Sequence, residues 1–293
     1  MRARRAANGA HQPGGARADA GARLPGQAGL GNRLRGVAYS LALPVALLLA
    51  WELAGRNGML PRGIIPTPSA VAAGWHHWAF ASPGLGFDSY SGTWFANVLY
   101  SAERVVKGYF AAILIGVPTG ILIGWFPLVA RTLDPLLQSL RPIPITAWVP
   151  FTIAVFGIRD MGAVFLIGLG AFYPILVNST FGARDVNKNL IRAARMMGAS
   201  QRDILLRVVL PSALPAVFTG MRIGLGIAWA AVIIAEMIAV KSGLGYVLWD
   251  AYYTGDMDIV IADMATIGVL GFLSDRFIVW LSNRVCSWKE QRA

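Results

Sequence analysis

Apolar runs long enough to cross a bilayer recur six times along these 293 residues, and that recurrence constrains the fold before any motif does. The hydrocarbon core needs about 20 apolar residues per helix. The runs are Gly36–Ala54, Val105–Trp125, Leu136–Phe156, Met161–Val177, Ala213–Ile238 and Ile259–Leu281. They predict an all-α polytopic membrane protein of about six transmembrane helices. Composition agrees: 56% of residues are hydrophobic and 14% charged, and the mean hydropathy is +0.55, which a soluble domain of this length rarely reaches.

The net charge of +11 does not indicate nucleic-acid binding. Its basic residues are scattered between apolar runs rather than gathered on a soluble domain. One cysteine, Cys286, excludes an intramolecular disulfide, and the His76–His77 pair lacks the companions a metal site requires, so no metal is expected.

Residues 1–36 are rich in Gly, Ala and Arg without apolar periodicity and read as a disordered basic cytoplasmic tail ahead of a transmembrane domain over 37–290. The run Gly36–Ala54 is read as a retained first span rather than a cleaved signal, because no small-x-small site ends it. An interfacial helix is expected over Trp94–Arg104. Pro142, Pro144 and Pro150 interrupt the third run and predict a broken helix there.

Loop charges set the orientation. Residues 1–35 hold seven arginines against Asp19, and the connection 182–212 holds six basic residues against Asp185 and Asp203. The connection after the fifth span has Lys241 against Asp250, Asp256 and Asp258. The positive-inside rule then puts both termini and the 182–212 loop in the cytoplasm.

That loop has structure of its own. Leu190, Ile191, Ala194 and Met197 recur at helical spacing, Gly198 is placed to end the helix as a left-handed cap, and Ser200 with Asp203 forms a capping-box-like start. A second helix is expected through Ile204 and Leu205 as far as Pro211. Two readings follow: an amphipathic segment lying on lipid headgroups, or a knob that docks another protein.

Ala193, Ala194, three residues, Gly198, nine residues, then Val208-x-Leu210-Pro211 resembles the EAA loop of ABC importer permeases, with pattern E-A-A-x3-G-x9-I-x-L-P. Arg192 stands where that pattern has Glu. Residues 134–158 and 235–251 are similar to the nitrate, sulfonate and taurine branch, which also holds permeases for bicarbonate and pyrimidine precursors. The resemblance implies a type I ABC importer permease fold and a docking role for Ala193, Ala194, Gly198, Leu210 and Pro211. Small residues and a turn glycine let a backbone approach a groove.

It also implies partners: a pair of ATPase subunits that bind ATP and Mg, a second permease copy, and an extracytoplasmic solute-binding protein. The sequence has no GxxxxGK[ST] loop, so no cofactor and no enzymatic activity of its own are expected in this chain. The expected function is import of a small solute, an anion such as a sulfonate, taurine or nitrate, across the bacterial inner membrane. The alternative class is a self-contained secondary transporter or channel, which would carry ionisable relay residues in several spans.

Within the spans, Gly116, Gly120, Gly124, Gly220 and Gly224 are spaced for close helix contact, or for a gate. Glu236 sits in an otherwise apolar run, where a carboxylate costs about 2.5–3.5 kcal/mol if central and must face protein or water. It either lines the pathway or makes a structural pair. Pro142 and Pro144 mark the other candidate lining region, or a simple kink. Arg222 is expected to snorkel towards headgroups, and Asp275 with Arg276 to form a local pair.

Overall fold

The computed structural model describes residues 30–61, 63–81 and 90–287, with backbone alone for 30–41. Among the described residues every regular element is helical. The chain divides into two units, 1–50 and 51–293. The described part of the first, from Leu30, is helical and exposes Leu43, Leu47 and Leu49, side chains suited to lipid. This helix, α1, ends at Arg56 and contains the first apolar run. The tail expected over 1–36 lies outside the described residues up to 29; residues 30–36 belong to α1.

In the second unit, α2 (Pro68–Phe80) starts behind Thr67, whose hydroxyl accepts from the Ala70 N–H, with Pro68 preset for the first turn. Then come α3 (Trp94–Trp125), α4 (Pro127–Leu140), α5 (Val149–Phe156), α6 (Asp160–Arg184), α7 (Lys188–Met196), α8 (Gln201–Ile204), α9 (Leu210–Ala239), α10 (Leu244–Thr254) and α11 (Met257–Val285). Four helices are long and apolar enough to cross a membrane, α3, α6, α11 and the continuous α8–α9 rod over Gln201–Ala239; a fifth span results if α4 and α5 count together.

Helix α6 is the spine. Helix α3 packs along one side of it and α9 along the other, both through glycines. A Cβ at Gly120 of α3 would lie 2.6 Å from the Leu176 carbonyl oxygen, and one at Gly220 of α9 would lie 2.8 Å from that of Pro174. In lipid, helices gain no hydrophobic advantage by associating, so this backbone approach supplies the contact energy by dispersion. The glycine spacing therefore serves packing inside one chain. Tyr109 adds a cross-tie, donating its hydroxyl to the Met221 carbonyl at 2.9 Å.

Two sequence expectations are corrected. Trp94–Arg104 is not an interfacial helix but the first part of α3, because its polar stripe Asn97, Ser101 and Arg104 is buried against other helices rather than facing headgroups. The third run breaks at its prolines as expected: α4 stops at Leu140, and the chain turns by 91° before α5. Pro142 and Pro144 supply no backbone N–H to carry a helix through, and the 3-10 turn Ile145–Trp148 restarts it. Pro211, by contrast, does not end the second loop helix. A π-helical turn, Leu205–Val209, joins α8 to α9, with the Leu210 N–H bonded to the Leu205 carbonyl. This wider turn accommodates the missing N–H and the ring of Pro211.

Candidate functional site

Three groups of residues have the makings of a site, and they lie at different levels of the bundle. The first is the α7 loop. Asn187 caps α7 by accepting the Asn189 N–H at 2.9 Å. At its other end Gly198 has φ +80°, with its N–H on the Arg195 carbonyl and the Ala199 N–H on the Ala194 carbonyl, both 3.0 Å. This is a Schellman closure, which requires a left-handed residue at that step. Ser200 and Asp203 then cap α8 reciprocally.

Ala194 is 6% exposed and packs with Ile204, Val209 and Ala213. Its small size thus serves packing within the chain. Leu210 joins the same cluster, and Pro211 is half-buried beside it. Ala193 and Gly198 stay on the open side, next to Met196 and Met197, which are 88% and 80% exposed. The loop is thus clamped from within and offers a short, sulfur-rich apolar surface ringed by Arg192, Arg195 and Arg202.

The second group lies at the opposite end of the bundle. Glu236 is 0% exposed. Its carboxylate receives Arg104 Nη1 at 2.7 Å, the Ser101 hydroxyl at 2.8 and 2.9 Å, and the Gly245 N–H at 2.9 Å. Arg104 also donates to Asp160 Oδ1 from Nε and Nη2, and to the carbonyl and hydroxyl oxygens of Ser242. Ser101 accepts the Leu244 N–H and Asn97 accepts the Gly243 N–H. Glu236 therefore fastens the 242–245 turn to α3.

Sequence reasoning singled out Glu236 but missed its partners. Asn97, Ser101 and Arg104, one helical stripe, were the available signal. Farther along α11, Asp263 is also 0% exposed, and neither carboxylate oxygen has a hydrogen-bond partner among the described residues. Beyond this end, Tyr90 donates to Asp250 Oδ2 at 2.9 Å, and burial pushes its phenol up to about 12. Arg222 does not snorkel: it grips Asp275 with two bonds of 2.8 and 3.1 Å, so Asp275 pairs across helices rather than with Arg276.

The third group surrounds a cavity of about 380 Å³ between the α4–α5 bend, α6 and α9. Arg141, Ile143 and Ile145 line it from the bend, with Trp148, Tyr173 and Asn178 among the remaining walls. Pro142 and Pro144 alternate with these lining residues and shape the backbone. Among the described residues no group of three or more His, Cys, Asp or Glu could hold a metal.

An apolar helical bundle with several membrane-length helices, a cavity between the α4–α5 bend, α6 and α9, and an internally clamped loop exposed at one end has the architecture of a polytopic membrane protein. Residues 112–286 match the family profile described as binding-protein-dependent transport system inner membrane component. The chain is 38% identical over 251 residues to a putative ABC transporter permease of Methanocaldococcus jannaschii, covering 85% of this chain and 91% of that one. It is 33% identical to the taurine transport permease TauC of Escherichia coli, over 87% and 90% of the two chains, and 31% identical to the nitrate import permease NrtB of Synechococcus elongatus, over 84% and 88%.

An inward-facing structure of the MetNI methionine ABC transporter shares the fold, with a TM-score of 0.57 and 22% identity over 66% of this chain and 94% of the other. The chain belongs to the binding-protein-dependent inner membrane component family and is a permease subunit of an ABC importer.

Proposed function

We propose that two copies of this chain form the transmembrane pathway of an importer for a small oxyanion, of the sulfonate or nitrate kind that the taurine and nitrate relatives are named for. Residues 37–290 form the permease domain, and the α7 end of the bundle faces the cytoplasm. There a pair of ATPase subunits binds ATP and Mg and receives the 182–212 loop. The Glu236 end faces outward and meets a solute-binding protein. Closure of the ATPase pair pushes on the loop, and the rigid α8–α9 rod carries that movement into the spans.

One observation carries this reading: the loop is held by internal packing, yet leaves Ala193, Met196, Met197 and Gly198 uncovered. A segment that merely lay on lipid headgroups would not need a Schellman closure, a capping box and a buried alanine to fix its shape. Its charge matches a cytoplasmic position. Alternating access then requires no ionisable relay in the chain, since the free energy comes from ATP hydrolysis in the partner.

The test is gentle purification of the tagged chain from its host, mass spectrometry of co-eluting proteins, and reconstitution. A stoichiometric subunit with a phosphate-binding loop, and uptake that needs ATP inside the vesicle lumen facing that subunit, are expected. A solitary chain that transports without ATP would overturn the proposal.

A further inference from the structure

Resting on the importer reading, we infer that Arg141 is the anion-holding residue of the pathway, and that the cavity at the α4–α5 bend is a transient oxyanion station built from hydrogen-bond donors. The cavity walls on α6 run from Leu169 to Asn178. At 1.5 Å per residue these lie about 9–22 Å from the Arg184 end of that helix. The cavity thus lies within the length of a membrane-spanning helix, and in such a span a guanidinium is costly unless it meets water or an opposite charge. Arg141, an exposed residue, borders the cavity. It makes no ion pair with any described residue, unlike Arg104, Arg184 and Arg222.

Its companions share one property. Tyr173 and Trp148 line the cavity, and neither the Tyr173 hydroxyl nor the Trp148 indole N–H has a hydrogen-bond partner among the described residues, while the Asn178 amide donates to the Pro174 carbonyl at 2.8 Å. No carboxylate lines the cavity. The rest of the wall includes Ile143, Ile145, Ile223 and Ile227, and apolar walls strengthen any charge interaction beside them. A guanidinium fork with neutral donors and no competing acid suits a planar or tetrahedral oxyanion, which it can grip through two oxygens. It disfavours solutes that present only a cation and gives a solute without an anionic group nothing to neutralise.

A second observation concerns the approach. At the Glu236 end an open basin of about 640 Å³ is bordered by Arg159 and Lys241, both exposed and without an ion-pair partner among the described residues. Its one carboxylate, Asp160, is already held by Arg104. On this proposal an anion entering from that basin moves from these two exposed cations to Arg141 at the cavity. That site must hold loosely enough to release.

The experiment uses the chain with its co-purified ATPase and binding protein in phosphatidylcholine vesicles, with ATP-driven uptake of labelled taurine, nitrate and bicarbonate measured beside choline and glycerol. Wild type is expected to import at least one of the three oxyanions and neither control. Arg141→Gln should lower that import about tenfold or more, while the permease–ATPase complex elutes at its normal size. Arg141→Lys should retain an intermediate rate, since it keeps charge but loses the fork. Tyr173→Phe should raise the half-saturating concentration severalfold with the maximal rate preserved.

Wild-type import by Arg141→Gln would overturn the assignment. So would loss of complex assembly in both Arg141 variants, which would make the residue structural, and so would dependence of wild-type uptake on added anionic lipid, which would make a headgroup phosphate its partner. An assembled complex that imports none of the three oxyanions refutes the station together with the oxyanion substrate class and leaves the ATP-driven importer reading intact; absence of any ATPase partner refutes that importer reading itself.

Discussion

Glu236 on α9 and Arg104 on α3 meet at 2.7 Å in a region closed to solvent, and between them they hold the turn that joins α9 to α10. The pair belongs to the architecture of the end opposite the α7 loop. A buried ion pair adds little net stability compared with apolar residues of the same shape, but removing one partner strands a charge, at a cost of about 3–5 kcal/mol.

Arg104→Leu should therefore damage the fold more than Glu236→Gln, which keeps an acceptor for Ser101 and Arg104. Thermal unfolding of the detergent-purified chain is the measurement, with Arg104→Leu expected to melt well below both wild type and Glu236→Gln. Equal melting of all three would deny the pair a structural role. Glu236→Gln is also expected to alter uptake while the ATPase stays attached, through a loosened 242–245 turn.

Gly243 tests the same turn from the backbone. Its φ is +104°, and a Cβ there would strike the Glu236 carboxylate. Gly243→Ala should cost about 1–3 kcal/mol in backbone strain and displaced hydrogen bonds, read as a lowered melting temperature. The exposed Gly58, also at positive φ but with nothing within 4 Å of its Cβ position, should tolerate Ala better.

Gly120→Val should separate α3 from α6, because a side chain there meets the Leu176 carbonyl oxygen and the Ser179 Cβ, each 2.6 Å away. Insertion into the membrane should persist while the purified protein aggregates or melts early. Gly226→Ala, at a position with no atom within 4 Å, is the control expected to behave as wild type.

On the loop, neighbouring alanines should respond differently. Ala194→Trp fills a buried position and should lower stability by overpacking, about 1–3 kcal/mol or more. Ala193→Trp and Gly198→Trp should leave insertion and folding of the bundle largely intact and abolish ATP-driven uptake by holding off the partner. Normal uptake with Gly198→Trp would argue against docking there.

Asp263→Asn should hold or raise the melting temperature, because it removes a buried carboxylate that has no partner among the described residues. A marked fall in stability, or loss of uptake with unchanged stability, would reveal a partner that binds it during the cycle.

The spans were legible because their cause is local: twenty apolar residues in a row specify a helix in lipid whatever surrounds them. The EAA-like loop was legible for a related reason, since a capping box and a left-handed glycine are short-range devices. The positions of α6, α9 and α11 accordingly lie close to their expected ranges. Elements missed or misread were those whose character depends on distant residues. Trp94–Arg104 looks interfacial until Glu236, Ser242 and Asp160 are brought to its polar stripe. Helix α10, and the pairing of Arg222 with Asp275 across 53 residues, have no signature in their own neighbourhoods.

Hydrophobic patterning alone determined that this is a polytopic helical membrane protein and that the third run breaks at its prolines, while six spans were expected where four helices, or five with the bent pair, are long and apolar enough. The spacing of residues 193–211 carried the resemblance to permeases. Tertiary structure alone decided what the polar residues do. It turned Glu236 inward onto Arg104, made Ala194 a packing residue while Ala193 stayed exposed, and left Arg141, rather than the prolines beside it, bordering the cavity. The physical reason is range. Helix formation in lipid is settled within a few turns of chain, whereas the cost of a buried charge is settled by whichever residue the fold brings within about 3 Å of it.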